Sequence, residues 1–264
     1  MTLKDISINK FNVIQELINS NHYTIEIDRE IDILAEVYEK KEDYFLNLSL
    51  LKFKKFTEKL AFLKLENIQP APLKYIKANG KIYAPIYDFT KLTAAQFIDI
   101  THFAQGKENF LLNLPKILAS ICVPTKLTLR GRKSLNYDSA NHATISQNFE
   151  AANIYDAFAI AIFFCTILEN FLKNYAGLFS KDEPKNEVSE DEDIQDEAPV
   201  IDVFTKLWGW HNTAENIAKV ERVTIENVYN FNATRFLNSV AYLKAKAQHE
   251  ENCNNQYKAK QNIK

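Results

Sequence analysis

A mainly α-helical fold is what the 264 residues predict: a helical bundle with one small β-hairpin, then a small C-terminal helical module after an acidic linker. Three observations carry this. Only five Gly and seven Pro interrupt the chain, which argues for long elements and against a sandwich of many turns. Apolar residues recur every three or four positions through most of the sequence. A single strong turn dipeptide, Asn79-Gly80, stands between two short strand-like runs.

The helix starts share a local grammar. Ile6-Ser7 is followed by Phe11 and Ile14, and Leu92-Thr93 by Phe97 and Ile100. In each, a Ser or Thr sits at the N-cap, with an apolar residue before it and a Phe four positions after it. That is a hydrophobic staple, and Gln96 adds the elements of a capping box to the second copy. Ile33-Leu34-Ala35 and Ile117-Leu118-Ala119 come at nearly the same offset, so 7–39 and 93–122 read as an approximate internal repeat.

Taken in order, 7–20, 28–39, 44–64, 93–105, 108–122 and 146–176 support helices. In 44–64, Leu48, Leu51, Phe53, Phe56, Leu60 and Leu63 form the stripe, with lysines between them. Pro115 is awkward inside 108–122, so the regular helix is expected to begin only there. In the last helix Ile154, Ala157, Ile160, Phe164, Leu168 and Phe171 make a long core stripe. Tyr75–Ala78 and Lys81–Ala84 flank Asn79-Gly80 as a type I′ hairpin, and Pro85 confines the second strand to an edge or a bulge. Gly131 marks a further turn within 123–143.

Residues 1–180 therefore read as a helical domain, and 181–199 as an acidic, disordered linker. Nine acidic residues fall in that linker with almost no apolar content to offset the entropy of ordering it. An acidic ligand for a basic partner is the other reading. Residues 200–250 form a small helical module and 251–264 a polar tail that should fray. In the module Val203, Leu207 and Trp210, then Ile217 and Val220, mark one or two helices. Val223-Thr224 repeats the staple before Val228, and Phe236, Val240 and Leu243 carry the last helix.

Composition narrows the function classes. A formal charge of −2 gives no overall electrostatic case for nucleic acid. Eighteen Phe and twelve Tyr against one Met point to an aromatic core or an interface built from large side chains. Cys122, Cys165 and Cys253 are odd in number and far apart, which suits a reducing cytosol. The first ten residues are polar, without the apolar region of a signal peptide. The run from Phe158 to Leu168 is about half the length of a spanning helix and reads as core.

Chemistry-bearing motifs are missing. The five histidines are never paired at i,i+3 or i,i+4, and no HxH, HExxH or CxxC occurs, so no metal is expected. There is no GxGxxG, no GxxxxGK[ST] and no GxSxG, so neither a nucleotide cofactor nor an elbow nucleophile is expected. Two local features remain. Lys126, Arg130, Arg132 and Lys133 form a basic patch that could hold phosphates, receive the acidic linker, or be a solvated turn. Trp208-Gly209-Trp210 could anchor a partner or fill the module's own core.

The order of features resembles helical proteins of tailed bacteriophages, those of Bacteroidetes hosts among them. Leu92-Thr93-Ala94-Ala95-Gln96-Phe97-Ile98-Asp99 after the Asn-Gly hairpin is similar to a pattern L-T-x-x-Q-[FY]-I-D in such proteins. Ile117-Leu118-Ala119 with Pro124, the pair Phe163-Phe164, and Trp208-Gly209-Trp210 resemble their later features. The resemblance implies a non-enzymatic virion-assembly protein of the host cytoplasm. More narrowly, it implies a tail assembly chaperone that binds a helical, tape-measure-like tail protein. The alternatives are a structural virion component of the tail, baseplate or head–tail connection, and, more remotely, an enzyme using the basic patch on phosphate-bearing substrates. Trp208, Trp210, Phe97, Phe163 and Phe164 are the candidate protein-binding residues. Self-association is a further possibility, and no membrane partner is expected.

Overall fold

The structure is a computed structural model that describes residues 2–104, 109–179 and 203–261. The acidic stretch 181–199 lies outside them. Helix makes up 68% of the structure, in twelve helices beside one four-stranded antiparallel sheet, so the fold is mainly α. Two compact units divide the chain: Met1–Asp88 with Gln96–Leu168, and Phe89–Ala95 with Glu169–Lys264.

The first unit opens with α1 (Ile8–Asn19) against α2 (Glu26–Tyr38). α2 ends where Glu39 takes a left-handed φ of 54°, letting the Lys40 N–H return to the Ala35 carbonyl at 3.1 Å. The expected helix 44–64 is broken into α3 (Glu42–Leu46), α4 (Leu50–Glu58) and a 3₁₀ turn, Lys59–Leu63. Asn47 ends α3 by donating its side-chain amide to the Asp43 carbonyl at 2.7 Å. The Ser49 carbonyl then accepts from Lys52 and Phe53 at 2.9 Å. Leu48, Phe53, Phe56 and Leu60 still face one cluster around Ile31, Leu34 and Phe45, but Leu51, expected on the same stripe, is 78% exposed. Within it Phe45 and Phe56 meet edge to face at 5.6 Å.

The hairpin forms as Ile76–Ala78 (β1) and Lys81–Pro85 (β2), with Asn79 at φ 47° and Gly80 at φ 72°, as a type I′ turn requires. The sheet extends beyond it: Cys122–Thr128 (β3) and Gly131–Ser134 (β4) complete the order β1-β2-β3-β4. β2 is thus an inner strand, not an edge. Pro85 is tolerated because it is the last residue of the strand, and the next N–H, of Ile86, reaches the Ile121 carbonyl at 2.8 Å.

Between the hairpins lie α5 (Ala94–Phe103) and α6 (Phe110–Ile121). α6 starts well before Pro115 and carries it as a buried interior residue. The lost hydrogen bond is offset by burial of the ring. α6 packs chiefly on α7 (His142–Glu150), which a break at 151–153 separates from α8 (Ile154–Lys173). α8 is long and apolar enough to cross a membrane by length and composition, yet Ile154, Ala157, Ile160 and Phe164 are fully buried.

In the second unit, α9 (Ala176–Phe179) and α10 (Val203–Glu221) are followed by α11 (Ile225–Tyr229) and α12 (Ala233–Gln261). Its core holds Leu92, Ala214, Ile217, Val228, Phe236 and Leu237. α12 runs on past Glu250, where the sequence suggested fraying. Its outer residues are exposed, and good helix formers such as Glu251, Gln256 and Lys258 continue it there, after a Lys246–Glu250 pair at 3.8 Å.

In each unit two helix starts lie back to back. Ser7, the N-cap of α1, forms an isolated antiparallel bridge with Asn153, which precedes α8. Across it the Ile8 N–H donates to Ala152 and the Ile154 N–H to Ile6, both at 2.9 Å. In the second unit Thr93 bridges Asn232 in the same way, Ala94 donating to Phe231 at 2.7 Å and Ala233 to Leu92 at 2.8 Å. A first-turn N–H has no partner in its own helix, and here the partner helix start supplies one. The caps complete the turn: Asn153 Oδ1 accepts from the Asp156 N–H, and Asn232 Oδ1 from the Arg235 N–H, each at 2.8 Å.

Candidate functional site

The residues singled out in the sequence separate on the structure. Phe97 and Phe164 are fully buried and cannot meet a partner. Phe97 lies on α5, and Phe164 lies on the inner stripe of α8. Phe163 is half-buried and packs edge to face on Tyr87 at 5.1 Å. Trp210 is half-buried, its ring 5.8 Å from that of the fully buried Phe236, so it serves the module's own core. Trp208 lies outside the residues whose side chains the structure describes. Lys126, Arg130, Arg132 and Lys133 come together on the exposed β3–β4 hairpin.

One pair has the geometry of nucleophile and base. Ser120 Oγ lies 2.9 Å from His142 Nε2. Ser120, however, is fully buried within α6, and its hydroxyl donates to the Lys116 carbonyl at 3.0 Å. The Gln96 side-chain amide donates to the Ser120 carbonyl at 2.8 Å, and His142 stacks on Phe103. The nearby carboxylate, Asp99, accepts from the Tyr137 hydroxyl at 2.6 Å. Burial and the bond to Asp99 together push the Tyr137 phenol far above its ordinary value. The group fastens α6 to the start of α7. Among the described residues, no three of His, Cys, Asp and Glu cluster as metal ligands would.

An open groove of about 510 Å³ in the second unit is a surface feature that could hold another molecule. Its walls result from how α10 ends. Arg222 takes φ 57°, and the Val223 N–H returns to the Ala218 carbonyl at 3.1 Å, which turns the chain back. Thr224 caps α11 by accepting from the Asn227 N–H at 3.2 Å. Asn232 then starts α12, which runs beside α10.

Ile217, buried, and Leu243 form the apolar bed of this groove, and Val220 and Tyr242 its lips. Those lips are 47% and 58% exposed, large apolar surface left on a small module. One part of its lining is polar. Glu221 pairs with Arg235 and accepts from the Ser239 hydroxyl at 2.6 Å, while the Arg235 guanidinium lies over the Phe231 ring at 3.6 Å. The Ser239 bond, then that of Arg235, holds the Glu221 carboxyl below its ordinary value against the opposing effect of burial. The site thus offers apolar contact and an ion pair in its lining.

Sequence reasoning placed Ile217, Val220 and Leu243 on helix stripes but did not bring them together. Tyr242, adjacent to the Phe236–Val240–Leu243 stripe yet off it, was the available signal of an apolar face outside the core.

No family model, no curated protein and no solved structure matches this chain.

Proposed function

We propose that this protein is a non-enzymatic assembly factor of the tailed-phage type, one that holds an amphipathic helix of a tape-measure-like tail protein. The observation that carries the reading is the groove between α10 and α12, with Val220 and Tyr242 standing exposed above Ile217. An amphipathic helix laid in such a trough buries residues spaced i, i+3 or i+4 and i+7, and the lips supply the area that exchange with water rewards. The Glu221–Arg235 pair gives the lining a polar part and favours one direction of the bound helix. The phage character comes from the motif order around Leu92-Thr93 and Trp208-Gly209-Trp210, and the groove supplies the mode of capture.

Co-expression with a long helix-rich tail protein of the same phage tests this. The full chain should raise that protein's soluble fraction, and Val220→Asp/Tyr242→Asp should abolish the gain while leaving the circular dichroism spectrum unchanged. Point variants are preferable to removing 200–264, because the second unit includes 89–95 and truncation would uncover Leu92 and Ala94, both fully buried. A chain that leaves the tail protein insoluble and is recovered in purified particles would instead be a structural component.

A further inference from the structure

The β3–β4 hairpin presents a second surface, built differently from the groove. The register sets Lys126 directly opposite Lys133, and Leu127 opposite Arg132. Like charges facing each other across a ladder destabilise it. Among the described residues no ion pair involves Lys126, Arg130, Arg132 or Lys133. The hairpin is held at its base: Thr125 donates its hydroxyl to the Ile82 carbonyl at 2.8 Å, and the Leu135 N–H donates to Pro124 at 2.9 Å. At its tip Gly131 takes φ +109°, which other residues rarely adopt. Every residue of β4 is exposed, and among the described residues its outer edge pairs with no other strand. Leu127 and Leu129 are 70% and 109% exposed.

Edge protection by charge is the ordinary reason for a lysine on such a strand. It covers Lys133, but not Lys126 on the inner strand, nor the exposed Leu127 and Leu129. We propose that this arm docks an acidic, extended segment of a partner protein, which adds to β4 as a fifth strand and brings carboxylates against Lys126 and Lys133. Main-chain hydrogen bonds along the free edge would give affinity, and alternate side chains would meet the Lys126–Lys133 face and the Leu127–Arg132 face. A nucleic-acid backbone fits less well: it offers phosphates to the cations but nothing apolar to Leu127 and Leu129. The chain's net charge of −2 would also oppose a long polyanion more than a short acidic strand.

The full-length protein is titrated by fluorescence anisotropy with a labelled peptide alternating Glu and Val, a Lys-and-Val counterpart, and a labelled DNA duplex. The acidic peptide should bind alone among the three, weaken as salt rises, and slow amide hydrogen exchange at Gly131–Ser134. Lys126→Glu/Lys133→Glu should cut its affinity about tenfold or more. Both side chains are exposed, so the variant should keep its fold, checked by its melting curve. Leu127→Ser/Leu129→Ser, which leaves the charges in place, should also weaken binding. DNA binding tighter than the peptide, no peptide binding, or binding that neither variant changes would overturn the proposal. So would unaltered exchange at β4. Failure of the groove variants in co-expression leaves this test unaffected, since the two surfaces are altered separately.

Discussion

Replacing Asn148 by Ala should destabilise the first unit by about 2–4 kcal/mol. Asn148 is 7% exposed and ties the first hairpin to α7. Its side-chain oxygen accepts from Asn79 at 2.9 Å, and its amide donates to the Tyr83 hydroxyl at 3.0 Å. The two bonds are not equal when lost. Asn79 is exposed, so its amide turns to water and only the net value of a hydrogen bond disappears, about 1 kcal/mol. Tyr83 is 1% exposed, and its oxygen would be left buried with its donor gone, at about 1–3 kcal/mol. The sum corresponds to a fall in melting temperature of about 5–15 °C for a unit of this size. A double-mutant cycle with Tyr83→Phe isolates the second part, because Phe has no oxygen to satisfy. Asn148→Ala should then cost at least about 1 kcal/mol less on the Phe background. Denaturant melts of the four proteins give the coupling directly. Strict additivity, with the single change costing under about 0.5 kcal/mol, would refute the reasoning.

The same geometry fixes two further outcomes. Glu221 is held below its ordinary value of 4.5, so its contribution is present above that pH and is lost as pH falls through the lower folded value. Glu221→Gln should accordingly flatten the acid limb of the second unit's melting temperature against pH. Asn153→Ala should cost about 1 kcal/mol by uncapping α8, and Asn153→Gly only a few tenths, measured by urea denaturation.

Much of the fold was legible because its signals are local. Ser7 caps α1, accepting from the Lys10 N–H at 3.2 Å, and Asn79-Gly80 adopts the paired positive φ that its composition requires. Of the second hairpin only the turn at Gly131 was legible and not its strands, since β3 begins directly after α6 at Cys122 and most of Pro124–Ser134 is exposed. Without a buried face there is no alternation to read. Aromatic content misled at Phe97 and Phe164, because counting rings does not say which face of a helix turns inward. The groove was invisible for another reason: Val220 and Tyr242 become neighbours only when a left-handed residue, Arg222, folds α12 back beside α10.

The bridged helix starts change what a module means in this chain. In sequence the four caps run Ser7, Thr93, Asn153, Asn232, and they pair first with third and second with fourth. The two units are therefore interleaved along the chain. The opening piece of the second, 89–95, is threaded through the sequence of the first, and both bridges close over more than half the length of the chain. Closing such loops costs entropy before the contacts repay it, which makes folding slower than local helix pairing alone would allow. It also means that the C-terminal helices carry no complete unit by themselves. The Leu92 carbonyl and Ala94 N–H are bound by Ala233 and Phe231, and without 89–95 those two groups at the start of α12 lose their partners. A partner seated between α10 and α12 would thus be held by a unit whose integrity depends on chain more than a hundred residues upstream, so capture by the groove would require that 89–95 be in place.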